Sequence, residues 1–141
     1  MRVLVAVDGS KFSRKAVKHV ASHLDWFQGK PELHLLHVKE PVPAGRSRPF
    51  LAADLIADYY RDESEAVLAP AGKLLDKLQI PYTSAWKVGD VAEEIRAYAK
   101  KHKIDMIVMG SHGRTAFQSL VMGSVATKVI AATSVPVLIV R

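Results

Sequence analysis

Short apolar runs alternate along this chain with longer stretches in which apolar residues recur every three or four positions. Continuous apolar runs rich in β-branched residues predict buried strands, and apolar residues at helical spacing predict amphipathic helices. The runs predict five strands, at residues 3–7, 33–38, 81–88, 104–109 and 136–140, the third of them short. The spaced patterns predict helices at residues 16–27, 51–78, 91–99 and 125–132.

Local sequence signals predict where two of these helices begin and where another is kinked or interrupted. Ser10 or Ser13 can cap the first helix and Asp90 the third, because their side-chain oxygens can accept from unpaired N–H groups. Pro70 removes a helical donor and clashes one turn back, so we expect a kink or an interruption in the second helix. The core candidates of that helix are Leu51, Leu55, Ala71, Leu74, Leu75 and Leu78.

The alternation of strands and helices predicts the fold class. Strands separated by helices of this length form a parallel sheet with right-handed crossovers. We therefore expect a doubly wound α/β fold with a five-stranded parallel sheet and helices on both faces. The chain has 141 residues and neither a linker nor an internal repeat, which indicates a single domain over residues 1–141.

Composition narrows the function classes. No apolar run approaches the roughly 18–20 residues of a membrane helix, and the N-terminus does not resemble a signal peptide, so we expect a cytoplasmic protein without membrane contact. The absence of cysteine excludes disulfides, thiolate metal sites and cysteine nucleophiles. The net charge of +6 favours anionic partners, but the basic residues are scattered with little aromatic interleaving, which makes nucleic acid an unlikely partner.

A glycine-rich stretch joins the fourth predicted strand to the last predicted helix. It reads Gly110-Ser-His-Gly113, then nine residues, then Gly123-Ser124. Glycine lets backbone N–H groups approach a ligand, and a helix N-terminus adds unpaired N–H groups and partial positive charge. The stretch is therefore a candidate anion cradle, although its spacing differs from that of the Walker motif.

A second strand end with candidate ligand-binding residues lies early in the chain. Asp8 and Gly9 follow the first strand, and ligands of open parallel sheets bind beyond the carboxyl ends of strands where the strand order reverses. If the first and fourth strands are neighbours at that point, Asp8 and the glycines face one crevice, and a nucleotide fits it. Simpler roles stay open: turn glycines at Gly110 and Gly113, and a turn-ordering Asp8. Three further residues have simpler alternatives of the same kind, namely an N-cap role for Ser124 and solvated side chains for His112 and Arg114.

The residues that carry this argument also match a known family. They are VLVAVDGS at residues 3–10, MGSHGR at 109–114, Gly123-Ser124, and VPVLIV at 135–140. With them the chain resembles the universal stress protein family over nearly its whole length. The resemblance implies the strand order 3-2-1-4-5. It also implies a homodimer formed along strand five, through Val137, Leu138, Ile139 and Val140.

The resemblance further implies a nucleotide site, because the pattern G-x-x-G-x9-G-[S/T] is the signature of the ATP-binding branch. Residues implied near the base and ribose are Ala6, Val7, Asp8 and Val38. Phosphate contacts are implied for Gly110, Gly113, Gly123 and Ser124, with Met109, His112, Arg114 and Val125 beside them. Where many relatives have a further glycine after the Gly-Arg pair, this chain has Thr115-Ala116, which could stiffen the loop.

Catalytic machinery is sparse in the sequence. Phosphoryl transfer needs charge neutralisation, metal placement and a positioned nucleophile. The chain has no Walker lysine and no convincing base, and Asp8 is the one candidate acid for the Mg or Mn that accompanies ATP. We expect an ATP-binding stress and signalling module with slow or no hydrolysis. The alternatives are a true ATPase or autophosphorylating enzyme, and a partner-binding protein whose nucleotide site is unused.

Overall fold

The computed structural model describes residues 1–43, 53–114 and 122–141 of the chain. Strands and helices alternate through these residues, with a short 3-10 turn at Leu24–Trp26. The strands are β1 (Arg2–Ala6), β2 (Glu32–Lys39), β3 (Tyr82–Val88), β4 (Met106–Gly110) and β5 (Val137–Val140). The helices are α1 (Lys11–Ser22), α2 (Ala53–Lys77), α3 (Val91–Lys101) and α4 (Ser124–Ala132).

The five strands form one parallel sheet in the order β3-β2-β1-β4-β5. This confirms the predicted fold class and strand order. The chain adds β2 and β3 on one side of β1, then crosses to the other side to add β4 and β5. The order therefore reverses between β1 and β4, and this switch point is where a ligand crevice is expected.

Two apolar layers cover the two faces of the sheet. On one face Val3 and Val5 of β1 pack with α1 and α2, and on the other Leu4 packs with α3 and α4. All three of these side chains are almost completely buried. Successive residues of a strand point to opposite faces, so a strand covered on both faces must be apolar at every position. This explains the continuous apolar run that the sequence shows at the first strand.

Side-chain caps begin two of the helices as predicted. Ser10 caps α1, where its Oγ accepts from Ser13 N at 3.1 Å. Asp90 caps α3, where its Oδ1 accepts from Glu93 N at 3.0 Å. Both caps follow directly from a polar side chain placed before an apolar helical pattern.

We predicted a kink or an interruption of the second helix at Pro70. The interruption is wrong, because α2 is one continuous helix of 25 residues that includes Pro70. Pro70 and Ala66, whose carbonyl loses its helical donor, are both exposed, so water can satisfy that carbonyl. Leu55 and Leu78 were wrong as core candidates, since they are 56% and 50% exposed at the two ends of the helix. Ala71 and Leu75 are buried, Leu74 packs against the same core, and Leu51 lies outside the described residues.

Two further boundaries differ from the sequence pattern. The first helix ends at Ser22 instead of reaching Phe27, although Phe27 is buried after the 3-10 turn. The apolar residues of this segment keep a helical spacing because Leu24 and Phe27 pack into the same core as α1. The third strand is seven residues long and not short, because it pairs with β2 along its whole length.

Candidate functional site

A cavity of about 880 Å³ opens at the carboxyl ends of β1, β2 and β4, over the switch point of the sheet. Its walls come from the segments that follow these strands, from the N-terminus of α4 and from one side of α2. Every residue predicted for the site lines it. They are Ala6, Val7, Asp8, Val38, Met109, Gly110, His112, Gly113, Arg114, Gly123, Ser124 and Val125.

Asp8 is held in place by the turn that it helps to form. Its Oδ1 accepts from Ser10 N at 2.8 Å, and its own N–H lies 3.4 Å from Ser13 Oγ. Just before it, Val7 N donates to Leu36 O at 2.9 Å, which extends the pairing with β2 past the end of β1. The turn-ordering role that the sequence left open for Asp8 is thus present. Asp8 also lines the cavity and is half-buried.

Gly113 faces Asp8 from the loop that follows β4. A Cβ atom at Gly113 would lie 3.2 Å from Asp8 Oδ2, and no other atom of the described residues beyond its chain neighbours comes within 4 Å of that position. The positive-φ glycines of the described residues are Gly9, Gly29 and Gly89, so Gly113 does not need glycine for its backbone conformation. Its lack of a side chain instead lets the loop after β4 approach the Asp8 carboxylate closely.

Gly110 serves a different purpose, which is the close approach of α1 to the end of β4. A Cβ atom there would lie 2.6 Å from Phe12 Cβ and 2.7 Å from the Phe12 carbonyl carbon. Atoms do not approach so closely without displacement, and the backbone carbon cannot yield as a flexible side-chain end can. Gly110 is therefore required by packing, even though it also lines the cavity.

Gly123 and Ser124 begin helix α4 at the rim of the cavity. Gly123 N donates to Ser111 O at 2.7 Å, which ties the helix start to the loop after β4. Gly123 occupies the N-cap position, so the alternative N-cap role of Ser124 was wrong; Ser124 is the first helical residue. The carbonyl of Gly123 accepts from Thr127 N at 3.1 Å and from Thr127 Oγ1 at 3.0 Å. Helix N-termini of this kind bind anions through their backbone N–H groups.

Arg114 and His112 bring the loop after β4 against the first loop and the first helix. Arg114 Nη2 lies 3.0 Å from the Cβ position of Gly9, so its side chain extends across the turn that follows β1. The His112 ring lies 5.0 Å from the Phe12 ring, and its Nδ1 is 2.9 Å from Ser111 Oγ. His112 is half-buried by these contacts, whereas Arg114 is exposed.

His37 forms the part of the wall contributed by β2. Its Nδ1 donates to Val7 O at 2.7 Å, and the ring is buried. Burial lowers the pKa of His37 below its ordinary value, the hydrogen bond to Val7 opposes that shift, and the positive charge of Lys39 adds to it. His37 is therefore a neutral polar wall near pH 7, with Nε2 unpaired among the described residues.

Sequence reasoning missed the wall supplied by one side of α2 and by Lys39. Lys39 Nζ lies 3.9 Å from Glu63 Oε2 and 5.5 Å from the centre of the Tyr59 ring. Val42 N donates to Tyr60 Oη at 2.8 Å, which fastens the segment after β2 to α2. The helical pattern of α2 does not specify which of its polar residues face the switch point, so the sequence holds no signal for this wall.

Within the described residues, the cavity contains no preformed metal cage. Within residues 1–43, 53–114 and 122–141, no three or more His, Asp or Glu side chains stand close enough together to hold a metal ion. The acidic lining residues are Asp8, Glu40 and Glu63, and Glu63 faces Lys39. The arrangement can therefore hold an anionic ligand beside one carboxylate.

Comparisons with known proteins agree on one family. Its model, described as the universal stress protein family, matches residues 1–141. Universal stress protein YxiE of Bacillus subtilis is 33% identical over 147 residues, which cover 99% of this chain and 98% of that protein. A universal stress protein of Thermus aquaticus is 34% identical over 140 residues, covering 99% of this chain and 97% of its own.

Solved structures agree on the fold. The structure of the protein MJ0577, from Methanocaldococcus jannaschii, has a TM-score of 0.82 at 28% identity and covers 99% of this chain and 94% of its own. Two more distant structures contain nucleotides, and at their low identity the similarity to this chain supports only the fold. An Arabidopsis thaliana family member with AMP bound has 15% identity and a TM-score of 0.70, covering 99% of this chain and 90% of its own. The Archaeoglobus fulgidus universal stress protein in complex with dAMP has 20% identity and a TM-score of 0.68, covering 100% of this chain and 98% of its own.

In the part of the chain that the structure describes, no helix is both long enough and apolar enough to cross a bilayer. The family match extends from the first residue to the last, and the fold agrees with that of the solved relative MJ0577. This chain belongs to the universal stress protein family.

Proposed function

We propose that this protein binds ATP in the cavity at the switch point and acts as a nucleotide-responsive stress and signalling module. The observation that carries the proposal is the close approach of the glycine-rich loop at Gly113 to Asp8, at the wall of a cavity of about 880 Å³ that the N-terminus of α4 also lines. That volume lies within the roughly 300–1,000 Å³ typical of small-molecule sites. The AMP and dAMP complexes of distant family members support an adenine nucleotide as the ligand class.

The phosphates would lie against the loop after β4. Gly113 and Ser124 supply backbone N–H groups there, Gly123 fixes the start of α4 against that loop through its bond to Ser111 O, and the start of α4 adds partial positive charge. Arg114 lines the same cavity and is a flexible cation that could close over them. The base and ribose would lie toward Val7 and Val38, on the apolar side of the cavity.

A divalent cation would be held mainly by the nucleotide. Mg²⁺ is usually bound through one or two carboxylates together with substrate phosphates. Asp8 fits this role, because its Oδ1 is anchored by Ser10 N while Oδ2 faces the Gly113 loop. We infer that Mg²⁺ or Mn²⁺ enters with ATP and meets the protein at Asp8.

The residues around this site favour binding over hydrolysis. His37, the buried imidazole of the wall, donates from Nδ1 to a backbone carbonyl, and Glu63 faces Lys39. Neither is arranged as a base beside the phosphate loop, and water activation needs such a group. The bound nucleotide would then act by favouring one conformation or one assembly over another, which requires different affinities for the two.

The proposed assembly is a homodimer along β5. This strand pairs with β4 on one side, and all four of its apolar residues are half-buried. An apolar edge strand without a second partner is a pairing site for another chain. The residues of the proposed contact are Val137, Leu138, Ile139 and Val140.

ATP binding is tested by calorimetry on the wild type and on Gly113→Val. The valine side chain would enter the gap in front of Asp8, so we expect Mg-ATP affinity to fall at least about a hundredfold. The fold should persist, since Gly113 does not have positive φ. Ala97→Val, on the exposed side of α3, is the matched control and should bind like the wild type. Equal ATP affinity in Gly113→Val and wild type would overturn the phosphate placement.

Measurement of phosphate release under single-turnover conditions distinguishes the enzyme alternative from a binding module. Turnover by the wild type well above that of Asp8→Ala would favour an ATPase, and the appearance of a phosphorylated Ser or Thr would favour an autokinase. The third alternative, an unused site, predicts no nucleotide in mass spectrometry of the purified protein and no ATP-dependent rise in melting temperature. We expect a copurifying adenine nucleotide and phosphate release indistinguishable from that of Asp8→Ala.

A further inference from the structure

A second, smaller cavity of about 140 Å³ lies between α1 and α2, on the side of the sheet that faces away from α3 and α4. Its interior is almost entirely apolar. Val17 of α1 and Ala71 of α2 form buried walls, with 2% and 6% of their surfaces exposed. The full lining is Val7, Gly9, Arg14, Val17, Lys18, Val67, Pro70, Ala71 and Leu74.

Two cations form the outer rim of this cavity. Arg14 and Lys18 are four residues apart on α1, so they project from the same face of the helix, and both are exposed. Arg14 Nη1 donates to Gly9 O at 3.2 Å, which holds the guanidinium over the mouth. No acidic residue lines the cavity, and the ion pairs among the described residues involve neither cation.

A cavity with an apolar interior and cations at its rim is complementary to a ligand that has an apolar part and an anionic group. The apolar part of a ligand would be removed from water in the interior, while an anionic head would remain at the rim beside Arg14 and Lys18. An engineered apolar cavity of about 150 Å³ binds benzene, so this cavity is of the size that accepts one ring or a short chain. A planar carboxylate also matches the paired donors of a guanidinium.

We infer that the cavity between α1 and α2 is a binding site for a small amphipathic carboxylate, of the size of benzoate or hexanoate. The site is separate from the proposed nucleotide site, although Val7 and Val67 line both cavities from opposite sides. It does not depend on nucleotide binding, because Gly113, Gly123 and Ser124 play no part in it.

Benzoate is the probe, and benzyl alcohol is its neutral control of nearly the same shape. Both are titrated into the isotope-labelled protein, and amide shifts are followed in two groups. The first group reports the small cavity, through Val17, Ala71 and Leu74, and the second reports the crevice, through Gly113 and Ser124. We expect saturable benzoate shifts in the first group, with affinity about tenfold above that of benzyl alcohol.

Four variants separate the contributions. Lys18→Gln, alone and combined with Arg14→Gln, should lower benzoate affinity to that of benzyl alcohol without changing the packing, because both side chains are exposed. Lys15→Gln has the same charge change on the same helix outside the cavity and should leave affinity unchanged. Ala71→Leu should fill the interior and abolish binding of both compounds; its melting temperature shows whether it folds.

Other results would overturn the assignment. Benzoate shifts confined to Gly113 and Ser124 would place the ligand in the crevice. Equal affinities for benzoate and benzyl alcohol, or no effect of the Arg14 and Lys18 changes, would remove the role of the cations. Binding of the peptide Gly-Gly-Phe without binding of benzoate would assign the cavity to the C-terminus of a protein partner and refute a small-molecule site.

Discussion

A Cβ atom on Gly113 would lie 3.2 Å from Asp8 Oδ2, so the loop after β4 and the loop after β1 meet at this pair. The two residues are more than a hundred positions apart in sequence. They become neighbours because β1 and β4 are adjacent at the point where the strand order reverses. Asp8 and Gly113 therefore line the same cavity.

The charge of Asp8 is expected to matter for metal-bound ATP and not for the fold. Asp8→Asn keeps an oxygen that can accept from Ser10 N, so the turn should remain intact. Calorimetry should show Mg-ATP binding weakened about tenfold, since a carboxylate ligand is lost, and metal-free ATP binding unchanged or tighter. Asp62→Asn, on the exposed surface of α2, is the matched control. A parallel loss of affinity for metal-bound and metal-free ATP would contradict the role given to Asp8.

Alanine substitutions of Gly110 and Gly113 are expected to have different effects on stability and ATP affinity. Gly110→Ala forces a Cβ atom to within 2.7 Å of the Phe12 backbone, so urea unfolding should show a loss of about 1–3 kcal/mol. Among the described residues, the Cβ atom of Gly113→Ala would approach Asp8 Oδ2, the end of a side chain, and its unfolding free energy should stay within about 0.5 kcal/mol of wild type. Its ATP affinity should fall nonetheless. Equal stability of the two variants would refute the packing role of Gly110.

His37 is expected to make stability depend on pH. Its pKa in the fold is lowered by burial below the ordinary value of 6.5, so the unfolded chain binds its proton first as the pH falls. The unfolding free energy of the unliganded protein should thus be highest above pH 6.5 and decline as the pH falls toward the lowered pKa. His37→Asn, which retains a donor for Val7 O, should lose that part of the decline.

A matched histidine variant separates this effect from general acid sensitivity. His102 also has a lowered pKa, chiefly from burial, so it contributes a decline of the same sign. His102→Asn should remove its own contribution and leave that of His37. Stability curves of wild type and His37→Asn that run parallel between pH 5 and 8 would show that His37 titrates alike in the folded and unfolded chain.

The free edge of β5 is expected to form the dimer through its backbone. Pro136 O and Val140 O accept from Ile107 N and Ser111 N, so by alternation the backbone groups of Val137 and Ile139 point away from β4. Ile139→Pro removes one edge donor without removing a bond to β4, and proline is tolerated on edge strands. Light scattering after size exclusion should show the wild type as a dimer and Ile139→Pro as a monomer. A dimer that survives this change would place the interface elsewhere.

Most of the fold was predictable because its signals are local. A strand covered on both faces is apolar throughout, and a polar residue such as Asp90 before an apolar helical pattern marks a cap. The errors arose where a local rule depends on surroundings. Pro70 remains within α2 because the affected carbonyl is on the exposed side, and Leu55 is 56% exposed near the first turn of α2.

The candidate site was predictable as a set of residues but not as a set of roles. The glycine spacing and Asp8 identified positions that all line one cavity. Gly110 and Gly113 look alike in sequence, and only their neighbours distinguish them: Gly110 packs against Phe12, and Gly113 approaches the Asp8 carboxylate at the cavity wall. The wall formed by Lys39, Tyr59 and Glu63 had no sequence signal, because it depends on the rotation of α2.

The sequence by itself thus determined the alternation of strands and helices, the parallel sheet and the glycine-rich loop that precedes α4. These properties depend on the period of apolar residues and on backbone preferences, which act over a few neighbouring positions. Tertiary structure alone decided which strand ends meet, what each glycine faces, and that α1 and α2 enclose an apolar cavity under Arg14 and Lys18. Contacts between distant segments depend on how whole elements pack, and the local pattern carries no record of that packing.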